Sequence, residues 1–325
     1  MCYIEDELKN HLDFEFSIHN SAGLNETRHV VNNLESDIYS ITNMVQGQFK
    51  RTVEEKSTVI KKYTRINLTN EKLYSFFKNF DLQLTTIFSK EKKYNGNLST
   101  DSIFSYNNEW FCVPKITLTI LGDNEKTFIE NFMVALGHEL THAFDLYQFA
   151  VKNNVHPSEA ITKQNYHKIF NKTNSKSVNI KVLAHILYSL NRLERNAIIA
   201  QLRQELLNKK EMLKGSKSAF DLIKTTESYR TFTFLQEGIQ SLANITDKDT
   251  QMELINELNS IMGKGFTTFN QLQKYFVGRW IKWKENFLVK ASKIAFDVYS
   301  ETSQGFKIED EFPIPQLKFK NNNKN

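Results

Sequence analysis

The stretch GHELTHAFD, residues 137–145, decides how the chain is read. As a helix it sets His138 and His142 one turn apart on the same face. Their imidazoles can then reach one ion, each at the ~2.0–2.1 Å of a zinc–nitrogen bond. Glu139 lies about 100° further round, near the ion but out of line to bind it, which suits a general base acting on water. A chain of this length carries the HExxH spelling by accident about 1% of the time at ordinary residue frequencies, so the flanks matter. Ile129, Met133, Leu136, Leu140, Phe144 and Tyr147 form an apolar stripe opposite His138, whereas Asn131, His142 and Asp145 share its face. That division predicts a helix over 125–151 with its back in a core and a polar, metal-binding face on a cleft.

A catalytic zinc takes three protein ligands and leaves a fourth position open, so one more donor is expected. Asp145, one turn past His142, would have to bend back along the helix to reach an ion held by both imidazoles. His156 and His167 fall in or near a polar segment, where surface histidines are common. Glu194, in SLNRLERNAIIAQLRQEL (189–206), combines a long helical pattern with an apolar surround. Leu187, Leu190, Asn191, Ala197, Ile198 and Gln201 share its side, and a carboxylate on such a face is costly unless paired or metal-bound. Glu194 is therefore the expected third ligand. Glu205, later on the same helix, is expected to serve neither metal binding nor activity.

The residues before the motif, ITLTIL (116–121), read as a strand. A strand leading into an HExxH helix resembles the zincin metallopeptidases, in which an edge strand lines the cleft and pairs with an extended peptide. GHELTHAFD is similar to the active-site segment of neprilysin-like gluzincins, HExxH-[GA]-F-D, and ERNA (194–197) is loosely similar to their E-x-x-A-D helix. The resemblance covers about residues 110–205 and implies zinc, a peptide or protein substrate, His138, His142 and Glu194 as ligands, and Glu139 as base. Two departures limit it to the gluzincin-like group. The family's aspartate four residues past the ligand glutamate is Ile198 here, which leaves Asp145 as the expected hydrogen-bond acceptor for His142. The family is also extracellular and disulfide-bonded. The metzincin continuation HExxHxxGxxH fails too, with Asp145 at the glycine and Gln148 at the third histidine. An oxyanion-stabilising helper is expected from Tyr229, Arg230, Tyr275 or Tyr299, without a choice among them.

The rest of the chain is compatible with this reading. Its 325 residues can bury a sizeable core. With 40% hydrophobic and 24% charged residues and a negative mean hydropathy, the composition is that of a globular protein. Its 42 basic and 37 acidic residues are interspersed, with no aromatic or glycine pattern to grip nucleic acid, so no nucleic-acid partner is expected. Two cysteines, Cys2 and Cys112, provide neither a disulfide framework nor a cysteine zinc knuckle. The acidic start MCYIEDELKN is unlike a secretory leader, and no apolar run approaches the ~20 residues of a membrane span. A cytoplasmic protein follows as the expectation, with lysine, asparagine and isoleucine usage that suits an AT-rich bacterial or phage genome.

Sparse glycine and proline, 11 and 4, disfavour an all-β design. The expected class is α+β, predominantly α-helical and zincin-like. A small α/β lobe over 1–123 carries an edge strand near 111–121; the active-site helix and a larger helical lobe follow over 124–311, then an extended tail over 312–325. Helices are expected over 28–50, 69–80, 125–151, 157–171, 178–209, 218–243, 248–261 and 267–301. LQLTTIF (82–88) reads as a strand and YNGNLSTD (94–101) as a turn-rich loop. FCVPKITLTIL (111–121) reads as one longer strand, Pro114 favouring an edge. Ile116, Leu118 and Ile120 alternate with Lys115, Thr117 and Thr119, the period of a half-exposed sheet. Phe276, Trp280, Trp283, Phe287, Ala291, Ile294 and Val298 recur at helical spacing as a core stripe. The competing expectation is a structural or interaction protein retaining such a domain, for example a phage virion or cargo component. Intact His138, Glu139 and His142 favour the enzyme.

Overall fold

The computed structural model describes residues 35–55, 59–67, 79–90, 93–99, 103–106, 109–112, 114–153, 166–209 and 219–299. Helix α1 (Glu35–Glu54) leads into a four-stranded sheet of β1 (Val59–Asn67), β2 (Asn79–Phe88), β6 (Lys115–Gly122) and β3 (Lys93–Ser99), in that spatial order. β1 runs antiparallel to β2, β2 parallel to β6, and β6 antiparallel to β3. Between β3 and β6 the chain makes a separate hairpin of β4 (Ile103–Tyr106) and β5 (Glu109–Cys112). The helices are α2 (Glu125–Asn153), α3 (Tyr166–Lys172), α4 (Val178–Leu190), α5 (Arg192–Asn208), α6 (Ala219–Lys224), α7 (Glu227–Ala243), α8 (Lys248–Met262) and α9 (Phe269–Tyr299). The class is α+β and mostly helical. No helix among the described residues is long and apolar enough to cross a membrane.

Two cores organise these elements. In the first, Phe80, Leu82 and Leu84 of β2 and Ile116, Leu118 and Ile120 of β6 pack on Phe128, Phe132, Leu136, Leu140 and Phe144, which recur at every fourth residue of α2. The second gathers α4 to α9 around Phe276, Trp280, Trp283 and Phe287, with Phe232 stacked on Phe287 at 4.6 Å. Burying each such large side chain contributes about 1.5–3 kcal/mol. The stripe expected on α9 is this core, Ile294 being only partly buried. Because α2 packs into the sheet core, that core runs to Phe144 and past the boundary drawn at residue 123.

Several local expectations need correction. The strand 116–121 is not an edge: β6 is paired on both sides, by β2 and by β3. Its alternation is real, Ile116, Leu118 and Ile120 being wholly buried, but alternation reports which face is covered and not which neighbours lie alongside. Pro114 precedes the first paired residue of β6, where a missing N–H costs nothing in the ladder. It also divides the expected strand 111–121 into β5 and β6. The edge beside β6 is β3, in the segment read as a loop. Its Asn-Gly-Asn turn propensity is overridden by pairing along β6.

The expected helix 178–209 breaks at Asn191, which sits at φ −63°, ψ 143°. Its N–H closes α4 on the Tyr188 carbonyl, and its side chain caps α5 by accepting the Leu193 N–H. Likewise 218–243 divides into α6 and α7, with Thr226 capping α7. Of the expected helix 69–80 only Asn79 and Phe80 are described, and they begin β2. Residues 28–34, 157–165, 300–301 and the tail expected over 312–325 lie outside the described residues.

Candidate metal centre

The metal motif is placed by the turn from β6 into α2. Asn124 caps that helix, its side-chain oxygen accepting the Thr127 N–H at 2.9 Å. One side of α2 then lies on the sheet, and the other packs against α5, the most extensive helix pair among the described residues. Gly137 allows the close crossing: a methyl group there would stand 3.3 Å from Gln204 Cγ. Enclosed on both sides, α2 is buried almost all round from Phe132 to Leu146, so its apolar surface is broader than the expected stripe. Phe128 and Phe132 are fully buried, whereas Ile129 and Met133 are only partly so.

That crossing brings His138, His142 and Glu194 together. Nε2 of His138 and Nε2 of His142 are 3.2 Å apart, with the rings edge to face. Glu194 reaches both, Oε1 lying 3.2 Å from His142 Nε2 and Oε2 3.6 Å from His138 Nε2. Ligand atoms bound tetrahedrally at ~2.0–2.1 Å are separated by ~3.3–3.4 Å. The two imidazole nitrogens stand near that value, and each also lies close to a Glu194 oxygen, His142 to Oε1 and His138 to Oε2, so the three side chains gather at the scale of a zinc site. Among the described residues no other group of histidine, cysteine and carboxylate side chains clusters this way. Glu194 occupies the first turn of α5, where the helix dipole favours its charge.

The centre is enclosed: Glu139, His142 and Glu194 are 5%, 6% and 3% exposed. In the protein alone the charges settle on an ion pair. Burial would raise the Glu194 carboxyl, but His142 and His138 hold it well below its ordinary range. Burial would likewise lower the His142 imidazole, yet Glu194, Glu139 and Asp145 push it up to about 9. Glu139 is raised chiefly by burial, opposed by the two histidines and reinforced by Glu194.

Glu139 also meets the edge strand. A Cβ on Gly96 of β3 would lie 2.7 Å from Glu139 Cγ and 2.8 Å from its Cδ, closer than side chains pack. Only glycine lets the β3 backbone lie over the carboxylate.

Asp145 is buried, but its carboxylate accepts a hydrogen bond from Asn196 Nδ2 at 2.6 Å and none from His142. His142 Nδ1 is buried with no hydrogen-bond partner. Asp145 therefore acts on His142 through its charge rather than as the expected acceptor. His156 lies outside the described residues, and so does the His167 side chain. Of the helpers considered, Arg230 bonds Glu227 and Tyr275 accepts from Arg279.

Three residues join the site that sequence reasoning did not assign to it. Gln201 Oε1 stands 3.1 Å from His138 Nδ1. Its Nε2 donates to the Tyr94 hydroxyl at 2.9 Å and to Glu205 Oε1 at 3.3 Å. Glu205, expected to be inert, is 7% exposed and accepts the N–H groups of Glu227 and Ser228 that open α7. Burial raises its carboxyl against these hydrogen bonds. Gln201 stands two turns past Glu194 on the same face, a spacing visible in the sequence. No family model, no curated protein and no solved structure matches the chain.

Proposed function

We propose that the protein is a zinc-dependent metallopeptidase of gluzincin-like, zincin-type architecture, with His138, His142 and Glu194 as the metal ligands. The observation that carries this reading is the gathering of those three side chains, the two imidazole nitrogens 3.2 Å apart and each 3.2 or 3.6 Å from a different Glu194 oxygen, on two helices that cross at Gly137. When bound, a zinc ion supplies Lewis acidity, polarising a carbonyl and acidifying water. Glu139, next to the first ligand but not among the three, takes a proton from the attacking water. It then returns that proton to the departing amine. Its enclosure favours proton acceptance by raising its basicity. Gln201 orients His138, and β3, whose one strand partner among the described residues is β6, offers an extended peptide its outer edge beside Glu139, the role first expected of β6.

A second reading, a non-catalytic protein that keeps the ion for structure, is favoured by the enclosure of Glu139, His142 and Glu194. One experiment separates them. Metal content of the purified protein is measured first, then cleavage of a peptide library with and without chelator. About one zinc per chain and chelator-sensitive cleavage that is lost in Glu139→Gln support the peptidase. Zinc without cleavage moves the assignment to the structural reading, and a chain that takes up no zinc removes both.

A further inference from the structure

Behind the candidate ligands, the hydrogen bonds of one chain of buried and partly buried side chains all run toward Glu205. At its far end, Glu205 Oε1 accepts the Glu227 N–H at 3.1 Å and Oε2 accepts the Ser228 N–H at 3.2 Å. A carboxylate held by two backbone donors at a helix N-terminus is an acceptor toward everything else near it. Tyr94 OH lies 3.3 Å from the same Oε1, and Gln201 Nε2 also 3.3 Å from it. The Tyr94 hydrogen is therefore directed at Glu205, which leaves the hydroxyl oxygen to accept from Gln201 Nε2 at 2.9 Å.

These two acceptors fix the Gln201 amide. Its NH2 must face Tyr94 and Glu205, because the opposite orientation would set the amide oxygen against a carboxylate. Gln201 Oε1 is then the group that meets His138 Nδ1 at 3.1 Å, and an amide oxygen can only accept. His138 must carry a proton on Nδ1, and Nε2 is the ring atom that faces His142 and Glu194.

We propose that Glu205 is a positioning residue that sets the tautomer of His138 through Gln201, with Tyr94 from the edge strand as a brace. The proposal rests on the reading of His138 as a zinc ligand for its consequence, but not for its geometry. Outer hydrogen-bond partners of a ligating histidine are worth about 10–100-fold in metal affinity. Here that role falls to an amide two turns beyond the ligand glutamate, and its orientation is dictated by a carboxylate that never touches the ion. Two further elements thereby bear on the site: β3 through Tyr94, and the start of α7 through Glu227 and Ser228.

The test uses the whole protein and the variants Glu205→Gln, Gln201→Leu and Tyr94→Phe. Two quantities are read: the Nδ1 proton resonance of His138 in nitrogen-15-labelled, metal-free protein, and zinc affinity by competition with a chelator of known strength. In the wild type the Nδ1 proton should be sharp and slow to exchange. Glu205→Gln frees the amide to turn over, so the resonance should broaden and zinc affinity fall about 10–100-fold. Gln201→Leu should remove the resonance. Tyr94→Phe keeps Glu205 and should keep the resonance, with a smaller change in affinity. Glu205→Gln is nearly isosteric, and it decides the matter if the leucine variant does not fold. An unchanged resonance and unchanged affinity in Glu205→Gln would overturn the proposal while leaving the metal centre intact. A wild type that shows the protected proton but takes up no zinc would instead sink the metal reading and leave the relay standing.

Discussion

Gly96 of β3 packs its backbone directly against the side chain of Glu139, so that a methyl group at residue 96 would stand 2.7 Å from Glu139 Cγ. The contact joins the edge of the sheet to the residue next to the first candidate ligand. It predicts that Gly96→Ala displaces the Glu139 carboxylate by a good fraction of an ångström, since the β3 backbone is held in register along β6. Misplacement on that scale costs on the order of 10²-fold in rate. Peptide turnover should fall by about that factor, with zinc content by mass spectrometry unchanged. Wild-type turnover in a folded alanine variant would show that the base does not depend on this contact.

Glu139→Gln separates base from ligand. The amide keeps the volume of the side chain but cannot take up the proton, so hydrolysis should be abolished. Zinc content and Tm should stay close to wild type, because Glu139 is not one of the three converging donors. Loss of zinc in this variant would instead make Glu139 a ligand.

Glu194→Ala tests the third ligand. Removing it leaves His142 buried without the group that chiefly raises its pKa, and breaking a buried charge pair costs about 3–5 kcal/mol. Bound zinc and activity should be lost together, with Tm lowered even in metal-free protein. Glu194→Gln retains the shape and should lose affinity with a smaller drop in Tm. A zinc-loaded, active alanine variant would require a different third ligand.

The parts of this site differed in how far the sequence revealed them. His138, Glu139 and His142 follow from spacing within one helix, a purely local property. Glu194 could be found because an ionised group on an apolar helix face needs a partner, and the structure brings it to both histidines. The break ahead of it was missed, although Asn191-x-x-Glu194 has the spacing of a capping box; Glu194 turns to the histidines rather than back to the cap. Tyr94 was not legible. It meets Gln201 across 107 residues, a contact set by the register of β3 on β6. The edge strand was missed for the same kind of reason. Alternation in ITLTIL shows one covered face, but lateral order in a sheet is a long-range choice that no single strand encodes.

The His142–Glu194 pair makes both stability and metal uptake depend on pH, with opposite signs. In metal-free protein the His142 pKa is raised to about 9 from its ordinary 6.5. Its contribution to stability is therefore complete below about pH 6.5 and is lost as pH rises toward 9. A shift of this size corresponds to roughly 3 kcal/mol. Glu194 is depressed well below 4.5, so its contribution is present above that value and is lost as pH falls through the lower one. The pair's contribution to the stability of metal-free protein should thus be largest between about pH 4.5 and 6.5. Zinc needs the His142 lone pair and must displace its proton. Affinity should rise up to about tenfold per pH unit between 6.5 and 9 and then level off. At pH 7 close to one proton per zinc should be released from His142. Calorimetric titration in two buffers of different ionisation enthalpy measures that proton directly. A zinc affinity flat from pH 6 to 9, with no proton released, would mean that the pair at the centre of this site is not the one the metal displaces.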